Sequence, residues 1–433
     1  MTTPVVRVGV IGAGFVGSAL IELLGDSSRS VALVDAATSA LEVVGVAVND
    51  SSVERPGISP ELLTSDGAGL AARKDLDILV ELIGGIEPAR SYIETALKNG
   101  VSVVTANKTL IAHCGTELAQ LAHEHSADLF YEAAVGGGIP ILRALRTSLA
   151  GERIDRVMGI VNGTTNFILS KMTSEGSDYA EALAETQSLG YAEADPTADV
   201  EAFDAAAKVQ ILSSLAFGTE LVGEEILREG ITGVRSIDVE FAARAGYVIK
   251  LLGVAERVGE HGISRRAHPT MVPSEHPLAS VHGAMNAVFV EGAVSGPLMW
   301  LGQGAGGRPT ATAVLGDVLD AARNRISGRH DVPFSVDNTL HSVNGGDLPS
   351  AFYISLDVLD QPGVLAAVAG IFGKNNVSIK SMEQSGFGTE ARLSFLTHEA
   401  LTRDVDNTIE DLSKLESVDS VGACIRVIEG GER

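Results

Sequence analysis

Cysteine is nearly missing from this chain: two residues, Cys114 and Cys424, stand in 433 positions. Neither belongs to a CxxC pair, so there is no disulfide framework, and the pattern fits a reducing cytoplasm. Aromatic residues make up 4% with a single tryptophan, and 32 basic residues face 56 acidic ones, for a formal net charge of −24. That balance argues against nucleic acid or an anionic membrane surface as partner, since both demand a basic patch. No apolar run reaches the roughly 18 residues a membrane helix needs. The N-terminal MTTPVVRVGVIGAG enters a strand without a basic n-region or a cleavage site, so no secretory signal is expected. The ten histidines are scattered, and the close pair His123 and His125 has no cysteine nearby, so a histidine metal site is not expected. What is plentiful is apolar residue: 45% of a chain this long is enough for two or three domains with real cores.

An apolar run at 5–11 ends in Gly12-Ala13-Gly14-Phe15-Val16-Gly17, and an apolar helical stretch follows. GxGxxG between strand and helix suits a dinucleotide: Gly12 permits the turn, Gly14 lets a pyrophosphate approach, and Gly17 lets helix and strand pack closely. The helix N-terminus would hold the phosphates. Asp35 stands near the usual distance for a ribose-binding acid but falls in a helical or loop insert. The next convincing strand is 41–48, ending in Asn49-Asp50-Ser51; Asp50 suits a ribose hydroxyl and Arg55 a 2′-phosphate, so NAD and NADP both stay open. Strand 76–83 ends in Gly84-Gly85, a second place for backbone to approach a cofactor. Strand 101–105 delivers Asn107-Lys108, a lysine at a strand's carboxyl end, where active-site groups gather, although a plain surface lysine fits the position too. A helix over 109–125 and a strand over 129–134 follow, then Val135-Gly136-Gly137-Gly138-Ile139-Pro140, whose exposed carbonyls suit a cation or ligand as well as a simple turn. Alternating strands and helices predict a doubly wound parallel sheet.

Beyond it, strand 154–161 leads to Asn162-Gly163-Thr164-Thr165-Asn166 before a helix expected at 167–174; that loop offers amides and hydroxyls to a carboxylate, or simply caps the helix. Residues 190–212, GYAEADPTADVEAFDAAAKVQIL, hold the densest chemistry. Asp204 and Lys208, one turn apart, are the only charged residues between Ala202 and Gly218 on an otherwise apolar helix, so they face an interior or a cleft. As an exposed i,i+4 pair they would contribute only about 0.2–0.5 kcal/mol. The acid-rich approach through Glu193, Asp195 and Asp199 exceeds what such a pair needs, and a desolvated lysine suits proton transfer. Strands are expected at 244–258 and 283–294, separated by a His/Pro-rich passage containing His268-Pro269 and His276-Pro277. The glycine loop 302–307, ending in Gly306-Gly307, feeds a helix at 310–324 and would crowd a cofactor from the far side or serve close packing. Residues 326–350, with Pro333 and Pro349, read as a linker. The remainder reads βαββαβ, a ferredoxin-like order.

GAGFVG at the start, TANK at 105–108, NGTTNFIL at 162–169 and the whole of 190–212 resemble the homoserine dehydrogenase family, and Asp360-Gln361-Pro362-Gly363-Val364-Leu365 resembles the start of an ACT regulatory unit. The resemblance implies an α/β fold in three parts: a Rossmann-type dinucleotide-binding domain over 1–140, to which a helix at 308–325 returns; an α+β substrate and dimerisation domain over 141–307; and, past the linker, a ferredoxin-like ACT domain over 351–433. It further implies NAD(P)-dependent interconversion of L-homoserine and L-aspartate 4-semialdehyde, in a cytoplasmic, monofunctional enzyme forming a homodimer or homotetramer. By motif, Lys208 and Lys108 match the family's acid/base lysines, and Glu193, Asp199, Asp204, Gly163, Thr164 and Tyr191 its substrate site. Gly12, Gly14, Phe15, Val16, Gly17, Asn49, Gly84, Gly85, Lys108 and Gly306 match cofactor positions. Glu132, Val135, Gly137 and Ile139 match main-chain oxygens that hold Na+. Asp360, Gly363 and Val364 would meet L-threonine as feedback effector. A dehydrogenase for another small amino-acid alcohol, and a nicotinamide and amino-acid sensor without turnover, are the alternatives.

Overall fold

The computed structural model describes residues 4–26, 28, 30–221, 226–331, 336–387 and 390–428; positions 1–3, Ser27 and Arg29 of the insert, and Pro333 of the expected linker lie outside the described residues. The chain forms two compact units, one of Met1–Ile154, Gln210–Glu225 and Glu291–Asn338, the other of Asp155–Val209, Ile226–Val290 and Thr339–Arg433. Among the described residues no helix is long and apolar enough to cross a membrane.

In the first unit, strands β1 (Val5–Ile11), β2 (Ala40–Ala47), β3 (Leu63–Thr64), β4 (Ile78–Glu81), β5 (Ser102–Thr105) and β6 (Leu129–Phe130) form a sheet in the order β3-β2-β1-β4-β5-β6. All five pairings are parallel. The strand order reverses between β1 and β4, and that switch point is where open parallel sheets take ligands. Helix α1 (Phe15–Gly25) leaves β1 and packs against helix Gly307–Ser327. Val314, Val318 and Ala321 of the long helix, at i, i+4 and i+7, join Val8, Val10, Leu20 and Val80 in one core. Asp35 falls in helix Ser30–Ala37, off the sheet edge.

β6 is shorter than the strand expected at 129–134, and a 3-10 turn, Glu132–Ala134, takes its place. The Glu132 N–H donates to Asp317 Oδ2 at 2.8 Å instead of to a neighbouring strand. Its buried carboxylate accepts the N–H groups of Leu142 and Arg143 at 2.9 and 2.6 Å, the open end of helix Ile141–Arg143.

The second unit is built on one long sheet. Its strands run in the order Met285–Gly292, Ile154–Ile160, Tyr247–Val258, Gly262–Pro273, Val418–Val427, Pro349–Leu359, Glu390–Thr397 and Ile379–Phe387. The C-terminal βαββαβ order is present as read, with helices Val364–Lys374 and Thr402–Leu412, and Phe352, Ile354, Leu356, Phe372, Phe395 and Leu412 among its core residues. It is not set off by a free linker. His341–Ser342 pairs with Gly262–Ile263, and the last strand pairs in parallel with Thr270–Met271 through Arg426 and Val427.

Two expectations in this unit are corrected. The passage with His268-Pro269 is a twelve-residue strand, registered residue by residue against Tyr247–Val258. Pro269 is tolerated because on the other edge Leu227–Arg228 covers Arg266–Ala267 and the last strand covers Thr270–Met271, so neither partner needs a donor at 269. The strand expected from Arg244 begins at Tyr247, because Ser236–Arg244 is a helix with Asp238 fully buried. That carboxylate accepts the Tyr353 hydroxyl at 2.9 Å, a partner 115 residues away.

Candidate active site

The glycine turn is shaped as the motif requires. Gly12 has φ +100°, and a Cβ there would stand 2.9 Å from the Leu82 carbonyl; a Cβ at Gly17 would strike the Gly12 carbonyl oxygen; around Gly14 there is open space. Gly14 caps α1 without any side-chain hydrogen bond, so the first N–H groups of Phe15 and Val16 are available to phosphate. Phe15 is 93% exposed, and only its main chain belongs to the turn. Gly306, at φ +117°, precedes helix Gly307–Ser327, and a Cβ at Gly307 would sit 2.8 Å from the Phe15 carbonyl oxygen. This brings a second helix N-terminus beside the first. The residues therefore fit a dinucleotide: a side-chain-free cradle between two helix ends.

The neighbouring turn is organised by a residue the motifs did not single out. Glu81, fully buried at the end of β4, accepts the N–H groups of Ile83 and Gly84 at 2.8 and 3.1 Å and the Thr105 hydroxyl at 2.6 Å. Gly84 and Gly85 take φ +73° and +74°, which L side chains avoid, and the Gly85 carbonyl accepts Asn107 Nδ2 at 2.6 Å. Asn107 caps helix Lys108–Glu124, placing half-buried Lys108 at its first position, beyond the end of β5. At the end of β2, Asn49 is exposed, and Asp50 turns back to accept the Ser52 N–H at 2.9 Å and its hydroxyl at 2.6 Å. Those Ser52 bonds hold the Asp50 carboxyl below its ordinary range. Arg55 Nε is buried without a hydrogen-bond partner among the described residues.

In the second unit, helix Gly163–Glu175 starts four residues before the expected Phe167, and the loop offered by the sequence is its first turn. Asn162 is the cause. Its Oδ1 accepts the Thr165 N–H and hydroxyl, each at 2.9 Å. Its Nδ2 donates to Asp199 Oδ1 at 2.7 Å and Asp204 Oδ2 at 2.9 Å. Lys208 Nζ donates to the same Asp204 oxygen and to the Val161 carbonyl, both at 2.7 Å. Asn162, Asp204 and Lys208 are all buried. Two carboxylates against one ammonium leave a net negative site, suited to the ammonium of an amino acid. The Thr164 hydroxyl donates to the Tyr191 carbonyl at 2.7 Å, and the Tyr191 ring lies 5.1 Å from Phe167. Gly163 admits no side chain, since a Cβ there would come 2.9 Å from the Ala284 carbonyl. The side chains of Tyr191 and Glu193 are exposed, outside the cluster that joins Asp199, Asp204 and Lys208.

The other expected groups lie as follows. Gly136 and Gly137 take φ +74° and +54°, and a Cβ at Gly137 would meet the Gly304 carbonyl at 2.5 Å. The carbonyls of Glu132 and Ile139 accept the N–H groups of Val135 and Ile141. Among the described residues no group of three or more His, Cys, Asp or Glu side chains is placed to hold a metal. At the C-terminal turn, Gly363 takes φ +92°, Val364 N–H donates to Gln361 O at 3.3 Å, and Asp360 accepts Gln384 Nε2 at 3.4 Å.

A parallel sheet with a bare glycine cradle at its switch point, in a chain that also buries a lysine among carboxylates, defines a nicotinamide-dependent oxidoreductase. The comparisons narrow the class. Residues 12–132 match the homoserine dehydrogenase NAD-binding domain, 140–319 the homoserine dehydrogenase family, and 352–417 the ACT domain. A homoserine dehydrogenase of Corynebacterium glutamicum is 46% identical over 426 residues, covering 98% of this chain and 95% of the relative. The crystal structure of a homoserine dehydrogenase from Thiobacillus denitrificans superposes with TM-score 0.94 at 38% identity, covering 99% of this chain and 100% of that one. A hyperthermophilic archaeal homoserine dehydrogenase in complex with NADPH matches with TM-score 0.61 at 30% identity, over 73% of this chain and 97% of its own. The chain belongs to the homoserine dehydrogenase family, with NAD(P)-binding and ACT domains.

Proposed function

We propose that this chain oxidises L-homoserine to L-aspartate 4-semialdehyde, or runs the reverse, with Lys208 moving the hydroxyl proton. The observation that carries this assignment is the buried Asp204–Lys208 contact at 2.7 Å, tied by Asn162 to Asp199. The glycine turn Gly12–Gly17 and the N-terminus of the helix after it would hold NAD(P), which when bound would supply the hydride acceptor for the carbinol carbon of homoserine, or the hydride donor for the aldehyde in reverse. Asp204, with Glu193, would hold the substrate ammonium or an ordered water, and Asp199, Gly163, Thr164 and Tyr191 would complete the amino-acid site. Lys108 is the rival proton carrier, or binds the cofactor. Asn49, Gly84, Gly85 and Gly306 complete the cofactor contacts, and Arg55 is the base that would meet a 2′-phosphate; the NADPH of the archaeal relative favours that choice. Main-chain oxygens of Glu132, Val135, Gly137 and Ile139 would hold Na+. L-threonine binding at Asp360, Gly363 and Val364 would inhibit by favouring a less active arrangement. The working form is a cytoplasmic homodimer or homotetramer.

The test is absorbance at 340 nm with L-homoserine and NAD+ or NADP+. Lys208→Ala should lower kcat by about 10²–10⁴-fold, the usual worth of a positioned acid or base, with cofactor affinity unchanged. An intact kcat in Lys208→Ala, with loss in Lys108→Ala, would transfer the role to Lys108.

A further inference from the structure

We propose that Lys250 is a positioning residue of the substrate half of the site: its side chain locks the Asn166 amide, which fastens the first turn of helix Gly163–Glu175 to loop 281–285. Lys250 lies in strand Tyr247–Val258 and is 1% exposed, between Ile249 and Leu251, both buried. Its Nζ donates to Asn166 Oδ1 at 3.0 Å and to the Val281 carbonyl at 2.6 Å. Among the described residues no carboxylate lies within ion-pair reach of it, and burial pushes its pKa down to about 8. An apolar residue would fill this strand position at no such cost, so the amine is there for what it donates to.

What it donates to is an amide whose direction matters. Asn166 Nδ2 faces three carbonyls, Val281, Gly283 and Met285, at 3.2, 2.9 and 3.1 Å. An asparagine amide can turn over, exchanging oxygen and nitrogen at little change in shape. A lysine has donors and no acceptor, so opposite it only the oxygen fits, and the NH2 group must face the loop. That loop runs beside Gly163, where the Ala284 carbonyl leaves no room for a Cβ. The first turn so fastened starts at Asn162, whose amide bridges Asp199 and Asp204, and Asp204 holds Lys208. Lys250 reaches the reacting groups through Asn166 and the turn, and it touches neither substrate nor cofactor in this scheme.

The proposal rests on the homoserine assignment for its kinetic readout, so the full-length wild type is assayed first. In Lys250→Met, kcat/KM for L-homoserine should fall about 10- to 100-fold, the scale of a small misplacement of reacting groups. The Kd for NADP(H), read by nucleotide fluorescence, should stay within about twofold, because the cofactor cradle is built from other residues. Lys250→Arg, again donor-only, should recover part of the loss. A second readout is hydrogen exchange, which should rise in peptides over 161–172 and not in those over 10–20. Folded Lys250→Met with parent kinetics and parent exchange would overturn the proposal. Should Lys250→Met not fold, Asn166→Asp decides: it keeps a partner for Lys250 but turns a carboxylate on the three carbonyls, so it should show the same loss, and parent behaviour would overturn the proposal. If wild type fails to turn over homoserine, the functional assignment falls, and hydrogen exchange alone decides the role of Lys250.

Discussion

Asn162→Asp separates the two jobs of one side chain. Aspartate caps a helix about as well as asparagine, so the bond to Thr165 N–H should survive. The other side of the residue changes sign: a carboxylate would replace the NH2 group that now lies 2.7 Å from Asp199 and 2.9 Å from Asp204. Like charges about 4 Å apart at an effective dielectric near 20 repel by about 4 kcal/mol per pair. Taking up one proton is cheaper than bearing two such pairs and restores an O–H···O bond between neighbours. Holding a proton at pH 7 on a group of ordinary pKa near 3.9 costs about 3 × 1.4, or roughly 4 kcal/mol. That figure caps the destabilisation at pH 7 and shrinks by about 1.4 kcal/mol per pH unit, to roughly 1.5 kcal/mol at pH 5. The sign follows from a carboxyl whose pKa is raised on folding: stability is retained at low pH and lost as pH rises. Asn162→Ser, which caps but carries no charge, removes the same bridge without a titrating group. The assay is guanidinium unfolding followed by circular dichroism at pH 5, 6, 7 and 8 for the parent and both variants. Asn162→Asp and Asn162→Ser losing equal stability at every pH would refute the reasoning.

Other outcomes can be checked on the same protein. Gly17→Ala puts a methyl group into the Gly12 carbonyl; it should cost about 1–3 kcal/mol, as overpacking does, and weaken NAD(P) binding at least about tenfold by the same principle of displaced backbone, so nucleotide titration unchanged from the parent would count against it. Burial, and then the charge of Glu132, push the Asp317 carboxyl up to about 7. The folded state therefore keeps a proton that the unfolded chain releases, and this contribution to stability is whole below about pH 4 and lost as pH rises to about 7. Asp317→Asn should flatten that part of the melting temperature against pH curve, and a slope as steep as the parent's would sink the assignment.

The local features were legible because their partners are neighbours in the chain. GxGxxG between a strand and a helix, the Asp204–Lys208 pair one turn apart, and the βαββαβ order at the C-terminus each follow from spacing and periodicity. Tertiary structure alone decided the groups whose partners are distant. Glu81 looks like any strand residue until Thr105, 24 positions on, donates its hydroxyl to it. Asn162 reads as a helix cap, and only folding sets Asp199 and Asp204, 37 and 42 residues on, against its amide. Pro269 argues against a strand until two short pairings leave a gap for it, and Lys250 meets Asn166 across 84 positions. A local pattern records the backbone conformation of its own segment, whereas a buried polar residue is determined by the donors and acceptors that fold around it.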